Sequence, residues 1–153
     1  MLTRMVLAFI TSMFTGITLR TPASAWLAVG VTGMLGWGAS EAVGSRHVPE
    51  LFTAVTAAFV VGTIGEIMAR IQKHPVTVYI VSGIIPLVPG ITAYNSMLEF
   101  LQKDFNQGLF LAFRAFLVAT YLAAGLAVAP LIVRSAKAVF GRRRKILKRK
   151  GLS

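Results

Sequence analysis

Cysteine is absent from the 153 residues, and charge is scarce. Without thiols the chain has no disulfide framework, no thiolate nucleophile and no cysteine-ligated metal. Only two histidines occur, His47 and His74, far apart and both in loop-like sequence. No metal-ligand spacing is present, and neither metal nor cofactor is expected. Paired carboxylates, a Ser/His/Asp grouping and a glycine-rich phosphate loop after a strand are also missing. Hydrolytic and nucleotide-dependent chemistry lose their usual residues, so the chain does not read as an enzyme.

Apolar residues are what the chain has in plenty. They make up 56% of it, against 14% charged, and the mean hydropathy is +0.73. A soluble domain of this size has no use for so much apolar surface, and a membrane protein does. The formal net charge is +11, but nine of the sixteen Lys and Arg fall within residues 134–150. The remaining seven face five acids, so the body is nearly neutral. The basic tail, with Arg142-Arg143-Arg144-Lys145 and Lys148-Arg149-Lys150, follows an apolar segment directly. That is a cytoplasmic topology signal which also attracts anionic lipid. Basic runs bind phosphate non-specifically, but no nucleic-acid fold or aromatic platform accompanies this one, and no nucleic-acid partner is expected.

Five apolar segments stand out, at residues 5–19, 23–43, 51–69, 76–100 and 105–133. At 1.5 Å per residue most of them can span about 30 Å of hydrocarbon; the first is short and the last long. The sequence therefore predicts an all-α integral membrane protein with five transmembrane helices in residues 1–134, and a basic cytoplasmic tail in 135–153. Arg4, an apolar run and Ala23-Ser24-Ala25 also imitate a cleavable signal peptide. Cleavage there would leave Trp26 opening a truncated second segment, so retention is expected. Five spans put the termini on opposite sides. A cytoplasmic tail then places the N-terminus outside, with Arg20, Arg70 and Lys73 inside. The outer loops carry acids beside their cations: Glu41, Arg46 and Glu50 in one, Lys103 and Asp104 in the other.

The fourth segment is the informative one. Its middle reads Ile85-Pro86-Leu87-Val88-Pro89-Gly90. Proline removes a backbone donor and clashes with the preceding turn, and glycine adds freedom, so the helix should break here rather than bend. A broken backbone in hydrocarbon is tolerated only where it packs inside protein or lines a cavity. Such broken helices build many secondary-transporter sites. A helix restarting after Pro89-Gly90 presents its first amides, and the positive end of its dipole, to a carboxylate. Thr92, Tyr94, Asn95 and Ser96 add polar side chains there. Helical spacing puts Asn95 over one face with Ile91 and Leu98, and Thr92 and Ser96 over another. The plainer alternative is a kinked helix whose hydroxyls satisfy loose carbonyls.

Two charges need separate accounts. Arg114 lies about ten residues, or roughly 15 Å, into the fifth segment, about as deep as Pro86 from the other side. It either binds an anionic substrate or serves structurally, by snorkelling or by filling broken-helix carbonyls. Glu66 stands one turn before Arg70, which an i,i+4 ion pair explains; the alternative is a proton-coupling carboxylate. Glu99 and Lys103 form a second i,i+4 spacing. Small residues recur every fourth position at Ala28-Thr32-Gly36-Ser40-Gly44, at Ala54-Ala58-Gly62 and at Ala115-Ala119-Ala123-Ala127. These stripes suit close helix packing, within the bundle or against a second subunit.

Val61-Gly62-Thr63-Ile64-Gly65, His74-Pro75, and above all Pro86-x-x-Pro89-Gly90-x-x-x-Tyr94 resemble the threonine/serine exporter family. The likeness covers almost all of the membrane body. It is greatest to the small five-helix (C-terminal-half) subunit, as in the small subunit of the split bacterial succinate exporter. The resemblance implies export of small carboxylate-bearing metabolites across the bacterial cytoplasmic (inner) membrane, with a larger subunit completing a hetero-oligomer. A homo-oligomer is the other assembly left open. The break, its polar followers and the resemblance together make Pro86, Pro89, Gly90, Thr92, Tyr94, Asn95 and Ser96 the expected substrate-binding residues; Arg114 joins them, and Glu66 is a coupling candidate, on their positions alone. Arg114, Glu66 and the tail lie outside the recognised pattern. A non-transporting membrane scaffold or accessory subunit is the competing expectation.

Overall fold

A computed structural model describes residues 2–46, 48–102 and 104–149, with side chains described through Val133 and at Ser135. His47, Lys103 with its expected Glu99 pairing, and the basic side chains of the tail lie outside the described residues. Six α-helices follow one another: α1 Leu2–Thr18, α2 Trp26–Gly44, α3 Glu50–Gln72, α4 Val76–Ile84, α5 Gly90–Leu101 and α6 Phe105–Arg149. Single 3-10 turns precede α2 and follow α4.

Proline sets several of the starts. Pro49, Pro75 and Pro89 each stand immediately before α3, α4 and α5, where a fixed φ helps and a missing N–H does no harm. Two ends are set by left-handed residues, Arg20 with φ 57° and Lys73 with φ 58°. Around Arg20 the Thr21 amide reaches back to the Gly16 carbonyl at 3.0 Å, closing α1 in a Schellman-type cap. No glycine marks either end.

Glycines fix the helix approaches. Gly33 of α2 faces the Ser12 hydroxyl of α1 with no room for a Cβ. A Cβ on Gly30 would lie 2.6 Å from the Phe9 ring, and one on Gly62 2.6 Å from Ala129 of α6. Arg4 reaches Glu41, so α1 and α2 run antiparallel. Gly62 packs by Ala129, Gly125 by Ala58, and Arg114 reaches Glu50, so α3 and α6 run parallel. The chain thus traverses the bundle five times in alternating directions, with α4 and α5 sharing one traverse. Among the described residues α3 and the Phe105–Val133 part of α6 are long and apolar enough to cross a membrane. The pair α4 and α5 qualifies when taken together. Helix α1 is apolar but only 17 residues long. The protein is therefore all-helical, with two or three helices of membrane-spanning character.

The alanine stripe on the last helix does not line its contact within the chain. Ala119, Ala123 and Ala127 are exposed; the buried face is Ala115, Val118, Leu122, Gly125 and Ala129. Steps of four advance about 40° per step on a helix of 3.6 residues per turn, so the alanines walk off the contact face. Alternate steps of three and four stay on it. The stripes on α2 and α3 hold at Ala28, Thr32 and Gly36 and at Ala54, Ala58 and Gly62, all buried. Helix α6 also runs unbroken past residue 134, where the sequence placed the end of the membrane domain. Pro130 lies inside it, so the Leu126 carbonyl lacks its helical donor, and Gly62 packs beside that carbonyl.

Candidate functional site

The fourth segment breaks where its prolines fall. Helix α4 ends at Ile84, a 3-10 turn covers Ile85–Leu87, and Val88 is extended with φ −64° and ψ 133°. Pro89, at φ −75° and ψ 53°, closes a tight inverse turn in which the Gly90 amide donates to the Val88 carbonyl at 2.7 Å. The first intrahelical bond of α5 runs from the Ala93 amide to the Pro89 carbonyl, so the Ile91 and Thr92 amides precede it. The pieces on either side are bent by 51°. The break lies at mid-height: Leu87 touches the site of Gly36, midway along α2, and Val61 lies there too, midway along α3.

Two residues of the broken turn, Pro86 and Leu87, wall different cavities. Pro86 lines one of ≈ 420 Å³ with Arg4, Leu7, Ala8 and Thr11 of α1 and Trp37 of α2. Leu87 lines a smaller one of ≈ 170 Å³, whose wall includes Trp37, Glu50, Thr53 and Val118. Trp37 therefore stands between the two.

The expected binding residues divide. Pro86 and Pro89 are half-buried at the break, and Gly90 is exposed, with open space where a Cβ would be. Tyr94 is 67% exposed and Asn95 is exposed. Thr92 is half-buried and Ser96 buried on the side toward α6, as their spacing predicted. Ser96 donates to the Gly108 carbonyl at 2.8 Å, which makes it a clasp between α5 and α6. Among the described residues α5 packs against α6 and makes no comparable contact with another element. The start of α5 therefore faces outward from this chain.

Arg114 is brought to Glu50: its Nε donates to Glu50 Oε2 at 2.9 Å, and a second guanidinium nitrogen meets the same oxygen. Counting six residues from the Ser96–Gly108 clasp along each helix puts Gly90 and Arg114 at about the same height. The guanidinium nonetheless turns to α3 and its own acid. Glu66 is 4% exposed and accepts from Arg70 Nε at 3.2 Å and from its terminal nitrogen at 2.9 Å, the pair its spacing implied.

Sequence reasoning missed Arg4, Trp37 and Glu50 as cavity walls, and Glu41 as the partner of Arg4. The acids looked like loop charges balancing their neighbours, yet Glu41 lies inside α2 and Glu50 opens α3. Arg4 meets Glu41 at 3.6 Å, and Arg114 meets Glu50, both at the same end of the bundle. The cations of both pairs lie far from their acids along the chain, so local spacing carried no signal for either.

No curated protein and no solved structure matches this chain. A family model does, described as Threonine/Serine exporter, ThrE, and it matches residues 4–132. That span holds the three ion pairs, the two cavities and the broken turn described above. The chain belongs to the threonine/serine exporter family, as a multi-pass membrane transport protein.

Proposed function

We propose that this chain is one half of a secondary exporter of small carboxylate-bearing metabolites. It works by alternating access around the broken fourth traverse. All five traverses cross the bacterial inner membrane, with the N-terminus outside and the C-terminus cytoplasmic, where the basic tail meets anionic lipid. The observation that carries this proposal is the break itself: a mid-height turn whose Pro86 and Leu87 wall separate cavities on either side of Trp37. A small shift of that turn exchanges space between the two, which alternating access requires.

The half-subunit assignment is supported by what α5 lacks. Its first amides, with Tyr94 and Asn95 close by, face away from every other helix of the chain except α6. A larger partner subunit would supply the missing wall, and the amides of Ile91 and Thr92 would then meet a substrate carboxylate. The exposed Ala119, Ala123 and Ala127 leave a smooth face on α6 for the same assembly. Substrate movement is driven by a proton or ion gradient. Glu66, already held by Arg70, is the coupling carboxylate in this scheme.

The test is export from cells carrying the chain and its partner, with Pro89→Ala and Gly90→Leu combined. A Cβ at Gly90 meets open space, so the pair of changes restores helix-forming residues without a clash. Export should fall at least about tenfold while the complex still assembles, because the break is removed. Export at the wild-type rate would sink the assignment of the break.

A further inference from the structure

The larger cavity is a groove along one face of α1. Arg4, Leu7, Ala8 and Thr11 follow one another there at helical spacing, over about 10 Å of helix. Trp37 of α2 and Pro86 complete the wall. The groove holds ≈ 420 Å³, within the size range of ligand sites, and its lining is mostly apolar with one cation, Arg4, at the end of α1. It opens sideways. Leu7 is 58% exposed and Thr11 is exposed, on the flank where Ile10 and Phe14 are exposed too. No described element of the chain covers that flank, so in a bilayer it meets lipid chains. Arg4 is 69% exposed, and Glu41 lies 3.6 Å from it, beyond hydrogen-bond distance and outside the groove's wall. The Arg4 guanidinium has no hydrogen bond among the described residues. Helix α1 is also short. Its 17 residues reach about 25 Å, less than the roughly 30 Å of hydrocarbon, so headgroups are drawn in toward its ends.

We propose that this groove holds one phospholipid, with its phosphate on Arg4 and one acyl chain along α1 down to Pro86. Charge and shape both fit. A guanidinium is a planar fork of donors that suits a phosphate, and an apolar trough leading away from it suits the chain. A small anion would leave Leu7, Ala8 and Pro86 uncovered; a neutral apolar molecule would leave Arg4 unused. Glu41 steadies the guanidinium at the rim without saturating it. The acyl chain would end against Pro86, so this lipid and the broken turn compete for the same space. Lipid retention does not depend on what the protein transports.

The test uses tryptophan emission from the full-length chain in detergent. The chain has two tryptophans, and Trp26 lies elsewhere, donating to the Thr21 carbonyl at 3.1 Å. A Trp26→Phe background leaves Trp37, in the groove wall, as the reporter. Phosphatidylglycerol brominated on its acyl chains should quench Trp37 saturably, at about one lipid per chain. Brominated diacylglycerol, which has the chains without the phosphate, should bind at least about fivefold more weakly. Glycerol phosphate, the head without the chains, should not compete. Arg4→Gln should weaken phosphatidylglycerol at least about fivefold, and Arg4→Lys should keep part of the affinity. Thr11→Phe, at an exposed position, should fill the inner end of the groove and remove most of the quenching. Quenching that rises with lipid and never saturates would mean ordinary boundary contact and overturn the proposal. Equal binding of diacylglycerol, displacement by glycerol phosphate, or quenching unchanged in both Arg4→Gln and Thr11→Phe would overturn it as well. So would no quenching at any ratio, the result expected where protein covers the groove. The comparison of phosphatidylglycerol with diacylglycerol on the background chain decides even where a variant fails to fold.

Discussion

Arg114 and Glu50 meet across 64 residues of chain, the guanidinium Nε donating to Oε2 at 2.9 Å. The contact ties the start of α3 to α6, one turn above the Val118 that walls the smaller cavity. Both side chains are about half exposed, so in water the coupling would be worth only about 0.2–1 kcal/mol. A lone arginine facing lipid is another matter, at about 2.5 kcal/mol or more near a helix centre. Glu50→Gln should therefore lower the melting temperature of the membrane-embedded chain more than Arg114→Gln does. The double variant should recover most of the loss. A thermal double-mutant cycle measures this, and additive losses would show that the two side chains do not act as a pair.

Gly33 and Ser12 set how closely α1 approaches α2. A methyl group at Gly33 has no space against the Ser12 hydroxyl and lies 2.7 Å from its Cβ. Gly33→Ala should destabilise the chain by about 1–3 kcal/mol through overpacking. Adding Ser12→Gly should restore much of that, whereas Ser12→Ala should not, because the Cβ remains. Chemical unfolding of the three variants in micelles checks the order.

Ser96 offers a test of binding against clasping. Its hydroxyl is committed to the Gly108 carbonyl, and a Cβ on Gly108 would lie 2.7 Å from the Phe100 ring. Ser96→Ala should cost about 1 kcal/mol of stability and leave the apparent KM for export unchanged. A raised KM with unaltered stability would return Ser96 to the substrate.

The sequence revealed what local chemistry decides. The break was legible because proline and glycine act on their own backbone, whatever surrounds them. Glu66 with Arg70 was legible because one helical turn joins them. Arg4 with Glu41 and Arg114 with Glu50 were hidden, since each pair forms only when separate helices pack. Which way the α6 alanines face was hidden as well, because each four-residue step turns about 40° away from the contact with α3. Ser96 looked like a binding group because the carbonyl it caps belongs to the next helix.

The proline inside α6 divides that long rod mechanically. With the Leu126 carbonyl lacking its helical donor, one rung of the ladder is missing where Gly62 packs beside it. The rod is softest there. A bend at that joint swings everything beyond Pro130 while Ala115 to Gly125 stay seated on the bundle. Helix α6 is thus built as a jointed lever, whose outer arm could change angle without the inner arm losing its grip on α3.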